Sequence, residues 1–219
     1  MSVLMPLELV HKVDHLLLEP QLSRQEIEAG CQAAARLDCY AVVVKPHYIE
    51  HARKVLKDTR VKVISVVGFP HGGVTTATKM FETQDVLQRG ADEVEMVINL
   101  GALRDGDDLV VKNDIISVVK VARGHPITVI LETGFLTDEE KGRGCKIAEV
   151  AGASFVKTGT DFASASVTVG DVQLLRATSP EVKVIAAGAI ARRHAAQQMI
   201  EAGAARIATK FTEKIAAES

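Results

Sequence analysis

Gly90-Ala91-Asp92-Glu93-Val94, Gly152-Ala153-Ser154-Phe155-Val156 and Gly203-Ala204-Ala205-Arg206-Ile207 share one pattern: glycine, alanine, two variable residues, then an apolar residue. Each follows a polar, amphipathic stretch of helical length and opens into a short apolar run. Glycine takes the left-handed conformation that ends a helix without steric cost, so each copy predicts a helix that stops and a strand that begins two or three residues later. Recurrence of one helix-to-strand turn is expected when a single αβ unit is reused. It is less expected of an α+β fold.

Working outward, strand-like runs recur at Ala41–Val44, Val61–Val67, Val94–Ile98, Ile127–Leu131, Phe155–Val156, Val182–Ala187 and Arg206–Ala208, with a short first strand around Val13–Leu17. Their near-continuous Val and Ile imply burial on both faces, the signature of parallel strands covered by helices. Helices are predicted near 24–36, 47–57, 76–89, 107–122, 138–150, 169–177 and 192–202. Ser23 with Glu26, and Thr137 with Glu140, fit the capping box at two of these starts. About eight βα units predict an α/β fold of the (β/α)₈ TIM-barrel class in one domain spanning 1–219. The structural rival is a doubly wound open sheet. Against it, no Gly-x-Gly-x-x-Gly fingerprint follows a strand and no Walker A motif is present.

Composition narrows the function classes. Hydrophobic residues make up 47% and charged residues 25%, so a packed core is expected rather than disorder. The formal charge of −2 and the absence of Trp argue against a nucleic-acid partner or an anionic membrane surface. Apolar runs are too short to span a membrane, and Met1–Leu9 is too short and too acidic for a signal peptide, so a cytoplasmic location is expected. Cys31, Cys39 and Cys145 have no metal-ligand spacing and read as reduced structural thiols. No metal site is expected.

Lys157, in Phe155-Val156-Lys157-Thr158-Gly159-Thr160, falls at the end of a strand covered on both sides. Burial favours the neutral amine over the ammonium, and a neutral amine attacks aldehydes. In a barrel, the C-terminal end of a strand is also where active sites are built. The bland alternative is a strand-edge lysine snorkelling to water. Glu95 lies inside a strand and shares a face with Val97 and Asn99. Glu132 ends the run Ile127–Leu131, and Asp14 sits in the first strand. Each could hold a water or exchange protons with a substrate hydroxyl, and Glu132 could equally serve structure. His15 and His47 read as surface or satisfied histidines. Gly188 and Ala189 after the seventh strand, and Thr209 and Lys210 after the eighth, suit the phosphate cradle that barrels build there. Thr158 and Gly159 join them as candidate substrate-binding residues. Arg192 and Arg193 could add charge or simply face solvent.

Taken together, these segments resemble the 2-deoxyribose-5-phosphate aldolase family over nearly the whole chain. The carrying stretches are Val13–Pro20, Val66–Gly72, Thr78–Glu82, Gly90–Asn99, Leu131–Thr133, Leu136–Glu140 and Phe155–Thr160. The resemblance implies a TIM barrel of deoxyribonucleotide catabolism that cleaves 2-deoxy-D-ribose 5-phosphate to glyceraldehyde 3-phosphate and acetaldehyde, with no metal or organic cofactor. It implies Lys157 as the Schiff-base lysine, with Glu95 and Asp14 in the proton network. Its departures are specific. Glu95 stands where the family has aspartate, and Ile185 takes the place of a second catalytic lysine. Lys183 or Lys45 is then the candidate to supply that charge. Ala189 and Ala208 replace glycines, Lys210 a serine, Asp161 a glycine and Glu19 a lysine. These changes leave two alternatives: a different carbonyl substrate, unphosphorylated or differently charged, or a binding barrel without turnover. Barrels of this size often pair, which makes a homodimer the expected assembly.

Overall fold

Strands rich in Val and Ile cannot leave either face in water, and a closed parallel barrel wrapped in helices buries both. The computed structural model describes residues 6–162 and 166–218; residues 1–5 of the stretch weighed as a leader lie outside them. A short α1 (Pro6–Val10) precedes β1 (Val13–Leu17), then α2 (Arg24–Leu37), β2 (Ala41–Val44), α3 (Ile49–Val55), β3 (Lys62–Val67) and α4 (Thr76–Gln88). The chain continues through β4 (Glu93–Val97), α5 (Leu100–Arg104), α6 (Asp108–Val121), β5 (Ile127–Ile130), α7 (Asp138–Val150) and β6 (Phe155–Lys157). It ends with α8 (Val169–Thr178), β7 (Lys183–Ala187), α9 (Arg193–Glu201), β8 (Arg206–Thr209) and α10 (Thr212–Ala217). All neighbouring strands pair in parallel, and β8 closes on β1 with Asp14 opposite Ala208. The fold is a closed (β/α)₈ barrel.

The repeated turn behaves as its sequence predicts. Gly90, Gly152 and Gly203 take φ of 103°, 89° and 110°. Both expected capping boxes form, and Thr168 with Asp171 adds a third that the Glu/Gln rule does not catch. The predicted helix over 47–57 divides into a 3₁₀ turn at Pro46–Tyr48 and α3, and that over 107–122 starts at Asp108 behind an unpredicted α5. Asn99 explains α5, because its side chain accepts from the Ala102 N–H and starts a turn too short to show apolar periodicity. The five-residue α1 and six-residue α10 escape sequence reading for the same reason.

Two apolar layers result. Leu16, Val43, Ile64, Val66, Ile185 and Ala208 fill the barrel, while the outward strand residues pack under the helices. One ion pair is built into the outer layer. Lys79 Nζ, fully buried, donates to Asp114 Oδ2 at 2.5 Å and to the Val97 carbonyl at 2.9 Å, and Thr76 Oγ1 donates to the other Asp114 oxygen. It ties α4 and α6 to the end of β4. Asp114→Ala leaves a buried ammonium without its carboxylate and should cost about 3–5 kcal/mol in urea unfolding. The double change Lys79→Met with Asp114→Leu should recover most of that loss.

Candidate active site

The inward-facing residues of a barrel have no water to share, so charges placed there must satisfy one another. On β6, Lys157 is fully buried and its Nζ donates to Glu95 Oε2 of β4 at 2.7 Å, with Glu95 equally buried. Glu95 Oε1 has no hydrogen-bond partner. Ile185 of β7 lies directly beside Lys157 in strand register and is buried. No second amine stands there. Lys183, two residues earlier, is exposed at the opposite rim with its ammonium 5.8 Å from the Phe155 ring centre. Lys45 Nζ donates to the carbonyls of Glu19 at 2.6 Å and Pro20 at 3.2 Å. Neither of the two lysines that could replace the missing charge bonds to Lys157 or Glu95.

Asp14 of β1 is fully buried, and neither of its oxygens accepts a hydrogen bond. Arg206 Nε of β8 lies 3.4 Å from Asp14 Oδ2, near enough for charge attraction but not placed as a donor. Burial pushes the Asp14 carboxyl up to about 7; Arg206 opposes the rise, Glu95 adds to it and Lys157 opposes it. Arg206 continues the chain of charges toward the N-terminal rim. Its Nη1 donates to Glu93 Oε2 at 2.9 Å, and Glu93 Oε1 accepts from Tyr40 at 2.7 Å and Lys62 at 2.8 Å. The guanidinium lies between the Tyr40 and Phe155 rings, 4.3 and 4.2 Å from their centres. Although burial pushes Glu93 up, Arg206, Lys62 and Tyr40 together hold it below the ordinary carboxylate range.

Sequence reading missed this lower layer. A signal was present: Glu93, Phe155 and Arg206 occupy the same fourth position of the three glycine-alanine repeats. Each opens a strand pointing into the barrel.

Above Lys157, toward the C-terminal ends of the strands, the candidate binding residues divide. Thr158 Oγ1 donates to the Ala187 carbonyl and accepts from its N–H, both at 2.8 Å, while Thr209 Oγ1 donates to the Ile190 carbonyl at 2.8 Å. Both threonines thus engage backbone. Glu132, at φ 57°, accepts from the Thr160 N–H with both oxygens, and an added Cβ on Gly159 would come within 2.8 Å of it. Burial raises the Glu132 carboxyl, with the Thr160 bonds opposing. Its contacts are those of a brace between the β5 and β6 loops. His15 is buried and bonded to Thr212, and His47 is exposed.

Gly188, Ala189 and Lys210 border the mouth, where Ala189 N–H donates to Asp161 Oδ1 at 2.8 Å and Lys210 pairs with Glu19 at 2.9 Å. A cavity of about 190 Å³ at the mouth is lined by His71, Val97, Glu132, Thr160 and Phe162, and neither Lys157 nor Glu95 is among its lining residues. Among the described residues no cluster of His, Cys, Asp or Glu is placed to hold a metal ion, and no helix is long and apolar enough to cross a membrane.

This arrangement, an amine bonded to a carboxylate in a dry barrel, can be compared with known proteins. The model of the DeoC/LacD family aldolases matches residues 9–214. A deoxyribose-phosphate aldolase of Thermococcus kodakarensis is 46% identical over 213 residues, covering 95% of each chain. One from Bacillus cytotoxicus is 45% identical over 89% of this chain and 88% of its own. The solved tetrameric deoxyribose phosphate aldolase of Aeropyrum pernix superposes with a TM-score of 0.90 at 27% identity, covering 97% of this chain and 91% of that one.

Asp14 yields a test of the site's electrostatics. Its folded pKa of about 7 lies above the ordinary 3.8, so between those values the folded state holds a proton that the unfolded chain has lost. Stability therefore falls as pH rises through that window. Urea unfolding of the wild type against Asp14→Asn should show the wild type losing ground between pH 4 and 7 and a constant difference outside it. A pH-independent difference would refute the assignment.

Proposed function

The chain belongs to the DeoC/LacD family of aldolases, and from that premise we propose that it cleaves 2-deoxy-D-ribose 5-phosphate reversibly to D-glyceraldehyde 3-phosphate and acetaldehyde through an imine on Lys157. The family's members are lyases. One observation carries the reading: the fully buried hydrogen bond between Lys157 Nζ and Glu95 Oε2, set inside the barrel below its mouth.

The pair supports the chemistry in a definite order. Transfer of the ammonium proton to Glu95 leaves a neutral amine that attacks the substrate's C1 aldehyde, and loss of water gives the protonated imine. That cation draws the electrons of the C2–C3 bond as it breaks, while the C3 hydroxyl gives up its proton to a carboxylate. Glyceraldehyde 3-phosphate departs, leaving an enamine whose C2 takes a proton back. Water then releases acetaldehyde and frees Lys157. With Ile185 beside the amine, proton traffic falls to Glu95, whose second oxygen is unengaged, and to Asp14, whose carboxyl titrates near neutrality.

The rival reading is a barrel that binds without turnover. It draws on Ile185 and on the closed Lys157–Glu95 pair. Incubation with acetaldehyde and borohydride separates the two: peptide mapping should find Lys157 ethylated, and an unmodified Lys157 would favour the rival. Lys157→Met should abolish both labelling and cleavage. Glu95→Gln should lower kcat/KM by about 10²–10⁴-fold, the usual worth of a positioned acid or base. A cytoplasmic homodimer completes the proposal, and light scattering checks the assembly.

A further inference from the structure

Barrels bind anions with the backbone N–H groups of the loops after their seventh and eighth strands. In this chain that position already has an occupant. Ala189, following β7, takes φ 49° next to Gly188 at φ 129°, and its N–H donates to Asp161 Oδ1 at 2.8 Å. Asp161 is itself held at φ 69°, a conformation that favours glycine, and its side chain crosses from the β6 loop to reach this donor. The neighbouring cation is engaged as well. Lys210 Nζ donates to Glu19 Oε1 at 2.9 Å, and that bond, with the Asp161 charge added, holds the ammonium above the ordinary lysine range. Glu19, Asp161 and Lys210 line a cavity of about 200 Å³ at the mouth, together with Leu16, Leu18 and Thr160.

We propose that Asp161 is a specificity-determining residue that competes with a substrate phosphate for the loop after β7, so that unphosphorylated 2-deoxyaldoses are used about as well as their 5-phosphates. The inference rests on the aldolase reading and names the substrate class of that site. The cavity wall carries two carboxylates against one ammonium. A phosphate dianion entering it must displace Asp161 from Ala189 and Glu19 from Lys210, and meets two like charges in doing so. A terminal hydroxyl meets neither cost. It donates to a carboxylate and accepts from Lys210, leaving the internal bonds in place.

The test compares kcat/KM for 2-deoxyribose 5-phosphate and 2-deoxyribose in the wild type, Asp161→Gly and Asp161→Asn. Glycine suits the left-handed backbone at this position. The wild-type ratio should lie within about tenfold of unity, because the charge-assisted bond a phosphate would gain, on the order of tenfold to hundredfold, is offset by the one Asp161 loses. Asp161→Gly should shift the ratio toward the phosphate by about tenfold or more, and Asp161→Asn, which keeps an acceptor for Ala189 but not the charge, by less. A wild-type preference for the phosphate beyond about tenfold, or a ratio that Asp161→Gly leaves in place, overturns the proposal. Inorganic phosphate gives a readout free of catalysis: it should raise the Tm of Asp161→Gly more than that of the wild type. Equal shifts overturn the inference even if neither sugar is cleaved. Labelling of Lys157 by acetaldehyde and borohydride, in contrast, bears only on the aldolase reading.

Discussion

A closed barrel removes its interior from water, and every charge inside must then be answered by another protein group. That constraint organises this molecule. Lys157 answers Glu95, and Arg206 answers Glu93 and stands beside Asp14, so a file of charged groups runs through the barrel interior toward the N-terminal rim. Removing one member of such a pair strands its partner, at a typical cost of about 3–5 kcal/mol. The apolar residues around the file, among them Ile64, Val66 and Ile185, keep the local dielectric low and the couplings strong.

Within that file Glu93 is fully satisfied, while Arg206 leaves its Nε and Nη2 without acceptors. Glu93 has three donors, and its layer is fixed between aromatic rings. Nearer the mouth, one oxygen of Glu95 and both of Asp14 have no donor. The underbonded carboxylates thus lie above a layer that Glu93 and the two aromatic rings hold in place. Because Ile185 has no ionisable group, this upper layer depends on two carboxylates and one amine.

At the mouth the same electrostatic economy takes another form. Asp161 and Glu19 accept from the Ala189 N–H and the Lys210 ammonium, and Thr158, Thr209 and Glu132 brace the neighbouring loops. The rim is therefore both built and partly filled by its own side chains. What a ligand gains there is the difference between its own bonds and those it displaces.

The three glycine-alanine turns, the capping boxes and the Val- and Ile-rich runs determined the eight-unit barrel by themselves, because helix termination and two-face burial are local consequences of residue type. They also put Lys157, Glu95 and Asp14 on its strands, since a strand-forming run needs no partner to be read. Which charge answers which was decided only by closure. Glu95 and Lys157 are separated by two strand positions around the barrel, Arg206 meets Asp14 only because β8 closes on β1, and Asp161 meets Ala189 only because two loops converge. Such contacts join residues far apart in the chain, and no periodicity within a segment encodes them. α1, α5 and α10 stayed hidden for the opposite reason, being too short for any period to show.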